Sequence, residues 1–176
     1  MIRFDQGSAE CLVLTFKEGL LSAVAHDLVL RVERFTVEID PDRRAVVGIF
    51  DAASLRVVDA AREGQPVPGV LGAAQKAEIE SNVARWVLEP ARHPEIRYAS
   101  TAVADAPGGG FAVDGVLRLH GVERPLSVEV RAEGAGHVAR AVVHQPDFGI
   151  RPYSALLGTL RVRADVEVRL SLPGRT

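Results

Sequence analysis

Leu160-Arg161-Val162-Arg163-Ala164-Asp165-Val166-Glu167-Val168-Arg169-Leu170-Ser171-Leu172 alternates apolar and polar residues over its whole length. Side chains on a strand point to opposite faces in turn. One face of this run is therefore apolar and the other is wet, which is the pattern of an antiparallel strand with one side on a core.

Working back from that run, the same alternation recurs. Leu28, Leu30 and Val32 alternate with Val29, Arg31 and Glu33, and Phe35, Val37 and Ile39 continue one residue out of phase. A slip of one at Glu33-Arg34 is how a β-bulge reads in sequence. Asp40-Pro41-Asp42 is a turn. Further extended runs read at Ala45–Val58, Glu95–Val103, Phe111–His120, Arg124–Glu133 and His137–Gln145. With Glu10–Lys17 and the run Thr159–Leu172 there are eight candidate strands. Pro107-Gly108-Gly109-Gly110, Gly121 to Pro125, and Gly134 with Gly136 punctuate them. One segment breaks the pattern. Over Ala73–Leu88, Ile79, Val83 and Trp86 recur at steps of four and three, which predicts a helix that Pro90 ends. Glu63–Gly72, with Pro66 and Pro68, reads as the loop leading in.

Many short strands joined by tight turns point to a sandwich or a closed barrel. Ser100, Ala102, Gly115, Ala132, Ala139, Ala141 and Ala164 share strands with Leu117, Leu119, Val128 and Val130. Interiors pack densely, so small inward residues mean either closely approaching sheets or a cavity.

The 176 residues suit a single domain spanning 1–176. Twenty-one basic and 23 acidic residues leave a net charge of −2, which gives no general attraction to nucleic acid or to an anionic membrane. Cys11 is the sole cysteine, so an intramolecular disulfide and a multi-cysteine zinc site are excluded. Met1 to Ser8 has no apolar run and no cleavage site, so no signal peptide is expected there and the expected compartment is the cytoplasm. No window of about 20 apolar residues could span a bilayer.

Three stretches carry a resemblance. His93-Pro94-Glu95-Ile96-Arg97-Tyr98-Ala99-Ser100-Thr101, the hairpin Val113 to Leu126, and Asp147-Phe148-Gly149-Ile150, in that order and followed by the long amphipathic run, resemble the YceI-like family over about residues 10–172. The resemblance implies an all-β fold with one α-helix: an eight-stranded antiparallel, lipocalin-like barrel with a helix over one side. It also implies a non-enzymatic binding protein of bacterial type that holds a long apolar chain, isoprenoid or fatty-acyl, inside the barrel. The chain departs from the pattern at His144-Gln145-Pro146, where an Arg usually precedes Asp-Phe-Gly. It departs again near Gln75–Ser81, where a charged motif is usual.

A strand of about 10 residues is roughly 33 Å long. Tilted by about 40° it gives a barrel roughly 25 Å deep. Burying about 20 methylenes yields roughly 16 kcal/mol gross, against about 4–15 kcal/mol lost on association. A long chain is therefore held usefully and a short one weakly. The expected wall is Leu28, Leu30, Val32, Phe35, Leu117, Leu119, Val128, Val130, Val162 and Val166, and the candidate headgroup contacts are His26, Arg151 and Tyr153. Arg151 is also expected to pair with Asp147 as a loop clamp. Val116, Val142 and Val46 lie opposite that wall and offer a surface on which two copies could pair as a homodimer.

Catalytic signals are weak. Ser54, Ser127 and Ser154 lack the glycine context of a nucleophile elbow. His26-Asp27 reads first as a structural turn, with Asp27 capping backbone N–H groups. A zinc site of His26, His120 and His144 needs a convergence that spacing does not show. Strand-end histidines in solvent are the default, and His93 and His137 fall in turns. No cofactor is expected. The alternatives are a metal-dependent enzyme on the same barrel, or a filled barrel that serves as an interaction module.

Overall fold

The computed structural model describes residues 1–18, 26–155, 157 and 160–174. The chain opens with β1 (Ile2–Asp5), β2 (Glu10–Thr15) and β3 (Lys17–Glu18). Next come β4 (Asp27–Val32), β5 (Phe35–Asp40), β6 (Ala45–Asp51), β7 (Leu55–Arg62) and the short β8 (Gln65–Pro66). Helix α1 (Ala73–Val83) runs on into a π turn over Ala84–Leu88. A meander follows: β9 (Glu95–Ala106), β10 (Gly110–Leu119), β11 (Val122–Glu133) and β12 (Gly136–His144). Then come β13 (Ser154–Ala155), β14 (Leu160–Val162) and β15 (Asp165–Leu172).

Among the described residues, twelve strands make one sheet in the order β1-β5-β6-β9-β10-β11-β12-β15-β2-β4-β7-β8, and β13-β14-β3 make a small second one. All the pairings are antiparallel. Among the described residues the protein is therefore all-β with a single α-helix. In place of eight unbroken strands it has a curled sheet of twelve, because the long runs bend.

The bends have local causes. At Glu33-Arg34 the alternation slips, and β4 gives way to β5. Opposite it, a 3₁₀ turn at Ala52–Ser54 separates β6 from β7. The ladder is carried through this double corner. Val32 lies opposite Leu55, the Glu33 N–H donates to the Ser54 carbonyl at 3.0 Å, the Asp51 N–H donates to the Arg34 carbonyl at 3.0 Å, and Phe35 lies opposite Phe50. The Ser54 hydroxyl is fully buried, accepts from the Arg34 N–H at 3.0 Å and donates to the Asp51 carbonyl at 2.8 Å. The corner's inner polar groups are thus satisfied without water, as buried groups require. A third bend, at Arg163-Ala164, divides β14 from β15.

Helix α1 lies over β4 and β7. Its Ile79 and Val83 pack on Leu30, Val57, Ala60 and Leu71. Polar fasteners fix it there. Glu80 accepts from the Val57 N–H at 2.8 Å, and Lys76 lies 3.3 Å from Asp59. Asp59, only 3% exposed, accepts from the N–H groups of Ala60, Gly69 and Leu71 at 2.8–2.9 Å. Those bonds hold its carboxyl well below the usual carboxylate range, the Leu71 bond contributing most. Trp86 stays outside at 60% exposure, under the Arg85 guanidinium.

Candidate functional site: an apolar cavity

On the inner faces of β9 to β12, Leu117, Leu119 and Val143 pack with Phe148 and Ile150, and Val87 and Leu88 lie against them; beyond that cluster the faces stay uncovered. They enclose, with β15, β2, β5 and β6, a cavity of about 760 Å³. The wall follows from strand parity. Val113, Leu117 and Leu119 of β10, Leu126, Val128 and Val130 of β11, and Ala139, Ala141 and Val143 of β12 all face it. Val166, Val168, Leu170 and Leu172 of β15 do so too, so the apolar face of the β15 part of the last alternating run is cavity wall.

Six of the ten residues expected to form the wall are there: Val32, Leu117, Leu119, Val128, Val130 and Val166. Four lie elsewhere, each for a physical reason. Leu28 and Leu30 pack against the α1 cluster, so the helix occupies the space they face. Phe35 is buried against Phe50, with ring centroids 5.9 Å apart, and it is Phe50 that reaches the cavity. Val162 precedes the bend at Arg163-Ala164 and pairs with Lys17 in the small sheet.

The small residues divide as well. Ala139 and Ala141 leave open space. A side chain at Gly115 would meet the Tyr98 ring at 2.5 Å, so that glycine makes room for Tyr98 and not for a ligand. The Tyr98 hydroxyl lies 3.1 Å from the Val113 carbonyl and 3.3 Å from that of Leu126. Burial, with the Asp114 charge adding, pushes this phenol up to about 12. A register shift opposite Asp114/Gly115 turns Ala102 outward and Val103 inward. Val46, expected outside, lines the cavity, while Val142 is 59% exposed. Cys11 also lines it, and burial pushes its thiol up to about 12, so it is an inert thiol at neutral pH.

Three polar side chains of the wall, Asp40, Arg44 and His137, lie at the end formed by the β5–β6 and β11–β12 turns, and a fourth, Asp51, lies at the β6–β7 corner. Arg44 donates to the Val103 carbonyl at 3.2 Å and pairs with Asp105 at 3.0 Å. His137 lies 3.2 Å from the Gly109 carbonyl and against Phe111. Asp40 ends β5, His137 stands at the start of β12 and Arg44 lies in the β5–β6 turn, and at strand ends and turns alternation carries little signal. The headgroup candidates from sequence do not reach the wall. His26 and Arg151 are exposed, and Tyr153 contacts Asn82 of α1 at 3.3 Å. Among the described ion pairs there is none between Arg151 and Asp147. Asp27 does cap backbone, accepting from the Lys17 N–H at 2.8 Å.

The histidines sort differently from the set weighed above. His144 pairs with Asp165 at 2.6 Å across β12 and β15. His120 lies 3.0 Å from Glu89, and its ring is 4.3 Å from that of His93. That hydrogen bond, seconded by Arg92, lowers the Glu89 carboxyl below its usual range. Among the described residues, Glu89, His93 and His120 are the one group whose potential ligand atoms converge, all within 4.8 Å of one another.

No helix is long and apolar enough to cross a membrane among the described residues. The YceI-like domain family matches residues 31–173. BcnA of Burkholderia cenocepacia shares the fold at a TM-score of 0.65 and 18% identity, covering 97% of this chain and 99% of its own. A polyisoprenoid-binding domain from Saccharophagus degradans, implicated in plant cell wall breakdown, aligns at a TM-score of 0.56 and 14% identity, covering 93% and 91%. No curated protein sequence matches the chain.

Proposed function

The chain belongs to the YceI-like domain family, and from that premise we propose that it is a non-enzymatic carrier for a long apolar chain of isoprenoid or fatty-acyl type. The observation that carries this reading is the cavity of about 760 Å³ walled by aliphatic side chains. Its size is in the range of small-molecule sites, about 300–1,000 Å³. Its wall offers burial and almost no directional chemistry, so it selects for apolar length. The name of the Saccharophagus relative supports lipid as the cargo class.

The reading takes the curled sheet as an eight-stranded closed barrel. Residues 27–40 and 45–62 form one ribbon paired through a double corner. The ribbon's β4–β7 half joins one end of the sheet order and its β5–β6 half joins the other. A ribbon shared by both ends supports closure. The polar end of the cargo would lie at the Asp40–Arg44–His137 end, with the tail running toward Leu88 and Leu119.

The test is organic extraction and mass spectrometry of the purified chain beside Leu117→Arg and Ala141→Phe. The first puts a charge on the wall and the second fills the void. Wild type is expected to release a long-chain lipid and both variants to release little. Equal lipid from wild type and a folded Ala141→Phe would overturn the carrier reading.

A further inference from the structure

Beyond the carrier reading, a second site stands at the opposite end of the barrel, just past Leu88 and Leu119. Glu89 and His93 come from one tight turn in which the His93 N–H donates to the Glu89 carbonyl at 3.0 Å. His120 comes from the β10–β11 turn. Both Glu89 and His120 hold left-handed backbone conformations, with φ of 43° and 54°.

A loop clamp explains only part of this. The Glu89–His120 hydrogen bond would fasten the two turns by itself. It gives no role to His93, whose ring nitrogens make no hydrogen bond among the described residues and whose ring lies against His120. Gly121 keeps a place for that ring, since a side chain there would meet its Cε1 and Nδ1 at 3.1–3.2 Å. Two imidazoles in contact, their rings tilted by 51°, beside a carboxylate form a donor set of borderline character. Two ligands at about 2.0–2.1 Å from one zinc ion, at a tetrahedral angle, lie roughly 3.3 Å apart. The Glu89–His120 separation of 3.0 Å is already near that bite. All three ligand atoms lie within 4.8 Å of one another. Arg92, 3.2 Å from the other oxygen of Glu89, is placed to orient the carboxylate from behind.

We propose that Glu89, His93 and His120 bind one divalent first-row transition-metal ion of the zinc class, through two imidazoles and one carboxylate, with a further position left for water or a ligand. The test uses the full-length, tag-free chain stripped with chelator and titrated calorimetrically with Zn²⁺. Co²⁺ absorption serves as a second readout. Wild type is expected to bind one equivalent and to gain thermal stability with it. His93→Ala, His120→Ala and Glu89→Gln are each expected to weaken binding at least as much as the roughly 10–100-fold typical of outer-shell changes. His144→Ala is expected to bind as wild type does. If His120→Ala or Glu89→Gln fails to fold, His93→Ala carries the test, because that side chain makes no hydrogen bond to lose. Zn²⁺ binding by His93→Ala equal to wild type, or no one-equivalent binding by wild type, would overturn the proposal.

Discussion

Two walls of the same curled sheet carry the same alternation and meet different things. On β4 and β7, Leu28, Leu30, Val57 and Ala60 meet α1, while Val32 and Leu55 reach the cavity. Leu30 is 1% exposed and touches Val57, Ala60, Leu71, Ile79 and Val83. On β10 to β12 the inward side chains line a cavity, with Leu117, Leu119 and Val143 also packed with Phe148 and Ile150. Alternation reports which face of a strand is inside. It does not report what fills the inside, because the occupant comes from another part of the chain or from another molecule.

The sharpest way to break this comparison is to make the same deletion on each wall. Leu30→Ala is expected to cost about 2–5 kcal/mol, since it removes close-packed methyls and leaves a new cavity. Leu126→Ala, on the half-buried wall of the existing void, is expected to cost about 1 kcal/mol, because its lost contacts face space already open. Urea midpoints of the ligand-free protein measure both. Equal losses would mean that the void collapses onto β11 in solution.

Acid distinguishes the walls next. Asp59 fastens the α1 side, and its folded-state value lies below the ordinary 3.8. Its contribution is therefore fully present above about pH 4 and declines as pH falls from there toward the lower folded value. Asp59→Asn is expected to lower the urea midpoint at pH 7, and the gap to wild type is expected to shrink below pH 4. A gap that stays constant down to pH 2.5 would remove Asp59 as the charged fastener of the helix.

The contrast also explains what was legible in the sequence. Each of the eight extended runs read from alternation contains strand, four of them broken in two, and the helix is there, because period 2 and period 3.6 are local signals. β1, β8 and β13 were not read; two of them are only two residues long, too short to show a period. The slip at Glu33-Arg34 was visible, but its partner turn at Ala52–Ser54 was not, since nothing local requires an extended run to pause there. Parity puts Val32, Leu117 and Val128 on the wall, and they line it. The same rule puts Leu30 there, yet Leu30 is covered by a helix whose docking no strand pattern encodes. The convergence of Glu89, His93 and His120 depends on two turns meeting across the fold, which only coordinates reveal.

Alkali probes the hollow wall, with the smallest expected effect. Burial raises the Tyr98 phenol from 10.0 to about 12 and the Cys11 thiol from 9.0 to about 12. Both groups are neutral in the folded state and ionise more readily when unfolded. The stability they confer is complete below pH 9 and is lost as pH rises from 9 to 12, the thiol's share starting first and the phenol's near 10. Tyr98→Phe is expected to flatten the part of that loss above pH 10, with little change at neutral pH. Cys11 is expected to resist a water-soluble thiol reagent at pH 8 until urea unfolds the chain. Prompt reaction of the native protein would show that water enters the cavity freely beside Cys11. A wall that wet would offer an apolar chain far less than its aliphatic lining implies, because the gain from burial depends on the tail leaving water behind.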